Sequence, residues 1–163
     1  MSLSKQMLFQ QITHGVYVIS TCCDKKSNAF TAAWVMQVSF SPLLICFSIN
    51  PNHRSYQLLK GGGGCCISVL ENNQFLEAEH FARSDLEDKM AGFQWLKTNT
   101  GAYALSNCLT YFDCRVNDYF DAGDHKLVVC QVLDAVMINK GDPMLYQSTG
   151  NMDNSQQLFV DKK

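Results

Sequence analysis

The side chains best suited to chemistry are grouped in SINPNHRS, Ser48 to Ser55. His53, Arg54 and Ser55 offer imidazole, guanidinium and hydroxyl groups at its end. Such a set suits an anion, and an arginine fork pairs with a phosphate through parallel hydrogen bonds. His53 to Lys60 reads as a short helix, with Asn52 as N-cap and Gly61 as stop. A helix start offers free backbone N–H groups and the positive end of the dipole, so it seats one phosphate group. A second surface precedes it. Asn28 to Trp34 reads as an extended run with Ala32 and Ala33 at its centre. Small side chains let a flat ligand approach backbone donors. A strand for a planar ring, with an anion seat further along the chain, suits a mononucleotide such as FMN.

Other motifs are bland by comparison. Gly61 to Gly64 lacks the Lys and Ser/Thr of a phosphate loop and precedes a strand, so it reads as a flexible connection. No G-x-G-x-x-G occurs, which argues against a Rossmann NAD site. The eight cysteines include no Cys-x-x-Cys pair, and no metal site is expected. Most lie in apolar strand-like runs and read as reduced, buried thiols; Cys65 and Cys66 would point to opposite sheet faces. His14 and His80 read as structural.

The elements that must hold these residues are mostly strands. Gly15 to Cys22 reads as a strand, and the polar turn Asp24 to Asn28 returns the chain as an antiparallel hairpin. Ser41-Pro42 breaks pairing before Leu43 to Ile49, an apolar run of buried-strand character. Cys65 to Leu70 is a further strand. Asn73 to Arg83 reads as a helix capped by Asn72 or Asn73, and Ser84 to Glu87 has capping-box spacing for a second helix, Leu86 to Phe93. Gln94 to Ser106 reads as a loop covering a site. Cys108 to Tyr119 alternates, with Cys108, Phe112, Cys114 and Val116 on one face and Asp113, Arg115 and Asn117 on the other. Asp121 to Asp124 is a turn. Lys126 to Ile138 is apolar on both faces, as for a wall pressed against another element or subunit. Met144 to Gln147 is a short closing strand, and the polar residues after Ser148 form a tail or arm. Met1 to Gln11 leads in as a short helix, with Met7, Leu8 and Ile12 covering one side. Many strands and few helices make a mainly β barrel.

The length of 163 residues suits one domain spanning 1–163. Charged residues are 17%, below the usual quarter, so a partner subunit is expected to cover surface. A net charge of −2 without a basic cluster argues against nucleic acid and anionic membranes. No apolar run reaches membrane-spanning length, and the polar start is not a secretory signal, so a reducing cytoplasm is expected.

Four segments, GVYVISTCCDKKSNAFTAAWVMQVSFSP, SINPNHRSYQLL, DAGDHKLVVCQVLDA and GDPMLY, together resemble the flavin reductase-like family of FMN-binding split barrels. That family includes flavoredoxin-like proteins and the reductase components of two-component monooxygenases. The resemblance covers roughly Gly15 to Tyr146 and implies a split β-barrel, mainly β with a few helices. It further implies a homodimer with one FMN per subunit near the interface, and hydride transfer from NADH or NADPH to flavin. A flavin-dependent monooxygenase or another redox partner would receive the electrons. By position, the ring would lie along Thr31, Ala32, Ala33, Trp34, Val35, Met36, Gln37 and Ser39. The phosphate would meet Ser48, Asn50, His53, Arg54 and Ser55. His125, the candidate catalytic residue, would stand where nicotinamide stacks. Ala33 and Met36 replace serines common in the family, and Gly61 to Gly64 replaces a charged turn.

Because a flavin carries the chemistry and the protein positions and shields it, no triad or paired carboxylates are expected. Asp113, Asp118, Asp121 and Asp124 read as turn or solvated residues. Trp34 either flanks the ring or packs in the core, and Tyr146 either approaches the flavin or seals the barrel. A non-catalytic FMN or haem binder on a similar barrel is the competing class.

Overall fold

The computed structural model describes residues 5–150 and residue 152. Tyr17–Cys23 (β1) and Lys26–Ala32 (β2) form the expected antiparallel hairpin, with Cys23 opposite Lys26 and Tyr17 opposite Ala32. The turn is only Asp24 and Lys25, so Lys26 to Asn28 belong to β2 and not to the turn. Val35–Phe40 (β3) and Leu43–Ile49 (β4) form a second hairpin around Ser41 and Pro42. Gly64–Val69 (β5) follows the helix α2, Arg54–Gly62; a shorter helix, α1, covers Lys5–Leu8. After α3, Phe75–Ala82, come the short strands Trp95–Lys97 (β6) and Tyr103–Leu105 (β7), then the long pair Thr110–Ala122 (β8) and His125–Met137 (β9).

Seven strands make one sheet in the order β2-β1-β5-β8-β9-β4-β3, every neighbouring pair antiparallel. Its two edge strands are consecutive in the chain. Laid flat, strands spaced about 4.8 Å apart would separate β2 from β3 by about 29 Å. Ala33 and Trp34 alone connect them, and that link reaches at most about 11 Å. The sheet therefore curls until its edges meet, which makes a barrel with an unpaired seam. Ile19, Phe30, Phe47, Leu59, Ile67 and Val128 fill the inside. The alternate residues Val18 and Ala29 face outward and are covered by Phe81, Leu105 and Met144. Cys65 lies in the inner cluster and Cys66 in a separate cluster with Ala102 and Ala104, so they do face opposite ways. All eight cysteines are free; six are buried, while Cys22 and Cys23 are half-buried.

Several boundaries differ from the sequence reading. Helix α2 is capped by His53, not Asn52: the His53 Nδ1 accepts the Ser55 N–H at 3.2 Å. The Asn52 N–H instead goes to the Asn50 side chain. The glycine run is ordered. Gly63 adopts the left-handed conformation (φ 70°) that ends the helix, and its N–H returns to Leu59 O at 2.8 Å. A side chain on Gly62 would place its Cβ 2.1 Å from the Cys22 carbonyl oxygen. Helix α3 starts at Phe75 because Gln74 turns back to accept the Glu71 N–H.

Leu86 to Phe93 is not helical. Asp85 is engaged by Arg83, and Asp88 accepts the Met90 and Ala91 N–H groups in a turn, so the capping box never forms. Gln94 to Ser106 holds the hairpin β6–β7 in place of a loop. Met144 to Gln147 is no strand: Leu145 makes one bridge to Gly15, and a 3-10 turn covers Tyr146–Thr149. The leading helix ends at Leu8, a 3-10 turn follows over Phe9–Gln11, and Met7, Leu8 and Ile12 are exposed. In β9 the second half leaves Leu133 and Met137 exposed. Residue 151 and residues 153–163 of the expected tail lie outside the described residues.

Asp113 is the main exception to the expected solvated faces. It keeps the outward face that alternation gives it, opposite Cys66, but the β6–β7 hairpin and its flanking residues cover that face and leave it 1% exposed. Its carboxyl group accepts the Thr98 hydroxyl (2.7 Å), the Thr100 hydroxyl (2.5 Å) and the Thr100 N–H (3.1 Å). Together with Ser20 and Ser68, which bond to Tyr103 and Leu105, it fixes the β6–β7 hairpin to the sheet. Asp113→Ala should cost about 1–3 kcal/mol, because it strands the Thr100 N–H and both hydroxyls. Urea denaturation checks the value, and an unchanged midpoint would contradict this staple.

Candidate functional site

Strand β4 runs out at Ile49, and helix α2 starts at Arg54 beside an open cavity of about 470 Å³. Lys26, Asn28, Arg54, Glu87, Lys89 and Met90 are among its walls. Lys25, Lys26, Arg54 and Lys89 outnumber Glu87 and Asp88 there, so the cavity favours an anion. Lys89 is the notable member, a cation with 4% exposure. Its Nζ donates to the neutral Phe81 carbonyl at 3.0 Å, and burial lowers its pKa. A buried ammonium is costly unless an opposite charge joins it.

Lys89 is delivered by the irregular segment that replaced the expected helix. Three side chains hold that segment by its carbonyls. Arg54 Nη1 donates to Glu87 O (2.8 Å), His80 Nε2 to Lys89 O (3.0 Å) and Trp95 Nε1 to Met90 O (3.0 Å). His80 is thus structural, as expected, and its ring packs on Phe81 and Phe93.

The other phosphate candidates divide. Ser55 is fully buried, and its hydroxyl accepts from the Asn28 amide at 2.9 Å. Its role is to hold Asn28 against the cavity. Asn50 is exposed at the end of β4, and Ser48 is half-buried with its N–H bonded to Trp34 O. The His53 ring lies 5.0 Å from the Phe30 ring, and burial, with Lys89 nearby, lowers its pKa to about 4. His53 is therefore a neutral cap at ordinary pH.

Along the seam, the residues expected to meet a ring alternate in their surroundings. Thr31 donates its hydroxyl to Ala78 O of α3 at 2.6 Å, and Ala32 is buried in the inner core. Their side chains are thus occupied, and only their backbone faces the edge. Ala33 is half-buried, and Trp34 is 51% exposed, so it is not a core residue. Met36 and Gln37 are exposed on β3, Val35 packs toward the inner core, and a bulge lies between Gln37 and Ser39. His125 opens β9, where Ile49 pairs with Lys126, so it stands beside the end of β4. Its ring is 5.3 Å from Trp34, and its Nδ1 is 2.7 Å from Asp124, whose carboxyl it holds below the usual range. Trp34, His125 and the start of α2 are thus brought together at one end of the seam. Lys26 and Lys89 escaped the sequence reading, since Glu-Asp-Lys-Met looks like an ordinary charged helix face.

The cation-lined cavity suits an anion, and the open edge of β3 presents unpaired backbone groups. A family model described as a flavin reductase like domain matches residues 9–154. The FMN reductase (NADH) RutF of Agrobacterium fabrum is 29% identical over 145 residues, covering 88% of this chain and 83% of that protein. The flavin-dependent monooxygenase reductase subunit HsaB of Mycobacterium tuberculosis is 30% identical over 138 residues, covering 83% and 73%. A nitrilotriacetate monooxygenase component B homologue from Mycobacterium thermoresistibile has a TM-score of 0.82 at 27% identity, covering 88% and 81%. The chain belongs to the flavin reductase-like family and is an oxidoreductase on a split β-barrel.

The His53 pKa lies below its ordinary 6.5, so the neutral ring stabilises the fold fully above that pH. The contribution is lost as pH falls from 6.5 through about 4. An NMR titration should place the His53 midpoint at about 4; an ordinary midpoint would contradict the buried, capping ring.

Proposed function

We propose that this flavin reductase holds FMN on the seam and takes its electrons from NADH or NADPH. The observation that carries the reading is the open, cation-rich cavity at the start of α2, with the buried Lys89 in its wall. The fit is chemical. A phosphate dianion supplies the opposite charge that Lys89 lacks, and Arg54 and Lys26 add donors. Asn28, held by Ser55, adds a neutral polar group. The backbone from Thr31 to Ser39 supplies donors and acceptors for a ring edge, while Trp34 and Met36 shield it from water. His125, held by Asp124, flanks the place where nicotinamide would stack. FMN, when bound, accepts hydride equivalents and passes electrons onward.

Three finer points belong to the same proposal. The chain acts as one domain in the cytoplasm. A second copy covers exposed apolar residues such as Phe40, which is 89% exposed. A flavin-dependent monooxygenase receives the reduced flavin, in keeping with the names of the HsaB and nitrilotriacetate relatives.

Anaerobic addition of NADH or NADPH to the FMN-loaded protein should bleach its yellow colour within turnovers. FMN that stays oxidised under excess of both nucleotides would leave only a binding module. Arg54→Ala should weaken FMN binding by about 1–3 kcal/mol, the worth of a charge-assisted hydrogen bond, while riboflavin binding changes little. Equal losses for both ligands in calorimetry would remove Arg54 from the phosphate seat.

A further inference from the structure

The two tryptophans of the chain are held in opposite ways. Trp95 is half-buried, and its indole N–H donates to the Met90 carbonyl at 3.0 Å. Its ring packs on Phe81, with centroids 5.6 Å apart. Trp34 is 51% exposed, and its indole N–H has no hydrogen-bond partner among the described residues. Its ring leans instead on the His125 imidazole, with centroids 5.3 Å apart. An indole that is both packed and hydrogen-bonded, like that of Trp95, is fixed in place; an indole with one ring contact is not.

The backbone beneath Trp34 is fixed. Its carbonyl accepts the Ser48 N–H at 3.1 Å, and the Ala33 carbonyl accepts the Val35 N–H at 3.1 Å. The link between the two sheet edges therefore does not swing, and only rotation about the side-chain bonds moves the indole. Such rotamer exchange is fast for an exposed side chain.

The indole stands where it limits access to His125. The His125 side chain is 25% exposed, and Asp124 holds its Nδ1 at 2.7 Å at the head of β9. A planar guest between two rings needs contact on both faces, about 3.5 Å each and about 7 Å in all. The indole and imidazole are only 5.3 Å apart and tilted by 57°. No planar ring enters between them in this arrangement. A nicotinamide that stacks beside His125 must first displace the indole.

We propose that Trp34 is a gate over the nicotinamide place, closed on His125 in the resting protein and rotated away when the dinucleotide enters. The proposal rests on the flavin reading above and deepens it by naming the residue that controls access of the reductant. Closed molecules do not take nicotinamide there, so the gate lowers the apparent affinity by the fraction of molecules that are open. One aromatic contact sets that fraction, and its reach is about two- to tenfold. A fixed stacking platform at the same position would act with the opposite sign, since its loss weakens binding.

Binding of NAD+ and NADP+, which cannot donate hydride, is measured by calorimetry at saturating FMN on wild type, Trp34→Ala and Trp34→Phe. Far-ultraviolet circular dichroism checks that each variant is folded. Trp34→Ala should tighten the nucleotide by about two- to tenfold, with KM for NADH or NADPH falling in proportion. Trp34→Phe keeps a ring against His125 and should stay within about twofold of wild type. Acrylamide quenching of tryptophan emission should rise in wild type as the nucleotide binds. That rise should vanish in Trp34→Phe, where Trp95 alone reports. Nucleotide affinity that is unchanged or weaker in Trp34→Ala, absence of binding in both proteins included, would overturn the gate, as would quenching that ignores the nucleotide. A wild-type protein that takes up no FMN would instead overturn the underlying flavin reading.

Discussion

The constraint on which the molecule depends is that the two edge strands of a seven-stranded sheet are neighbours in the chain. A two-residue link cannot bridge a flat sheet of that width, so the sheet must close upon itself. Closure buries one face, where Phe30, Phe47 and Ile67 meet, and leaves a seam at Ala33 and Trp34. Strands elsewhere satisfy their backbone groups by pairing; along the seam the edge of β3 keeps donors and acceptors for something else. The ends of β4 and β9 lie beside this seam because of their register, and they bring Ser48, Asn50 and His125 with them. The same geometry that makes the barrel therefore leaves the open edge on which the proposed ring would lie.

The anion cavity depends on a second arrangement. Glu87 to Met90 has no regular hydrogen bonding of its own, so its carbonyls are satisfied by Arg54, His80 and Trp95. That leaves Lys89 buried with its charge directed at a carbonyl, a state that an arriving phosphate would relieve. Arg54 belongs to both parts: it opens α2 and also holds the segment that carries Lys89. Ser55 acts through Asn28, and His53 acts through the helix cap. Of the SINPNHRS stretch, Arg54 thus lines the cavity while Ser55 and His53 support the structure around it.

Much of the barrel was legible in period-two alternation and in turn residues, which is why β1, β2, β4, β5 and β9 fall close to the expected spans. The misses share a cause, namely side chains used by distant partners. Capping-box spacing at Ser84 to Glu87 means nothing once Asp85 is paired with Arg83. Asp113 lies on the face that alternation gives it, but the segment from Thr98 to Ala104 covers that face and buries it against Thr98 and Thr100. Lys89 could not be read as a site residue, because its burial and its hydrogen bond to the Phe81 carbonyl arise only in the folded chain. Thr31 and Ala32 sit in the expected strand, yet their side chains face α3 and the core, a distinction that needs the register of the sheet.

The most direct measurement is a crystal structure of the protein with FMN bound. The account predicts the phosphate within hydrogen-bond reach of Arg54 and Lys89, and the ring along the β3 edge beside Trp34. A ring bound away from the seam, or a phosphate that leaves Lys89 with only its carbonyl partner, would contradict it.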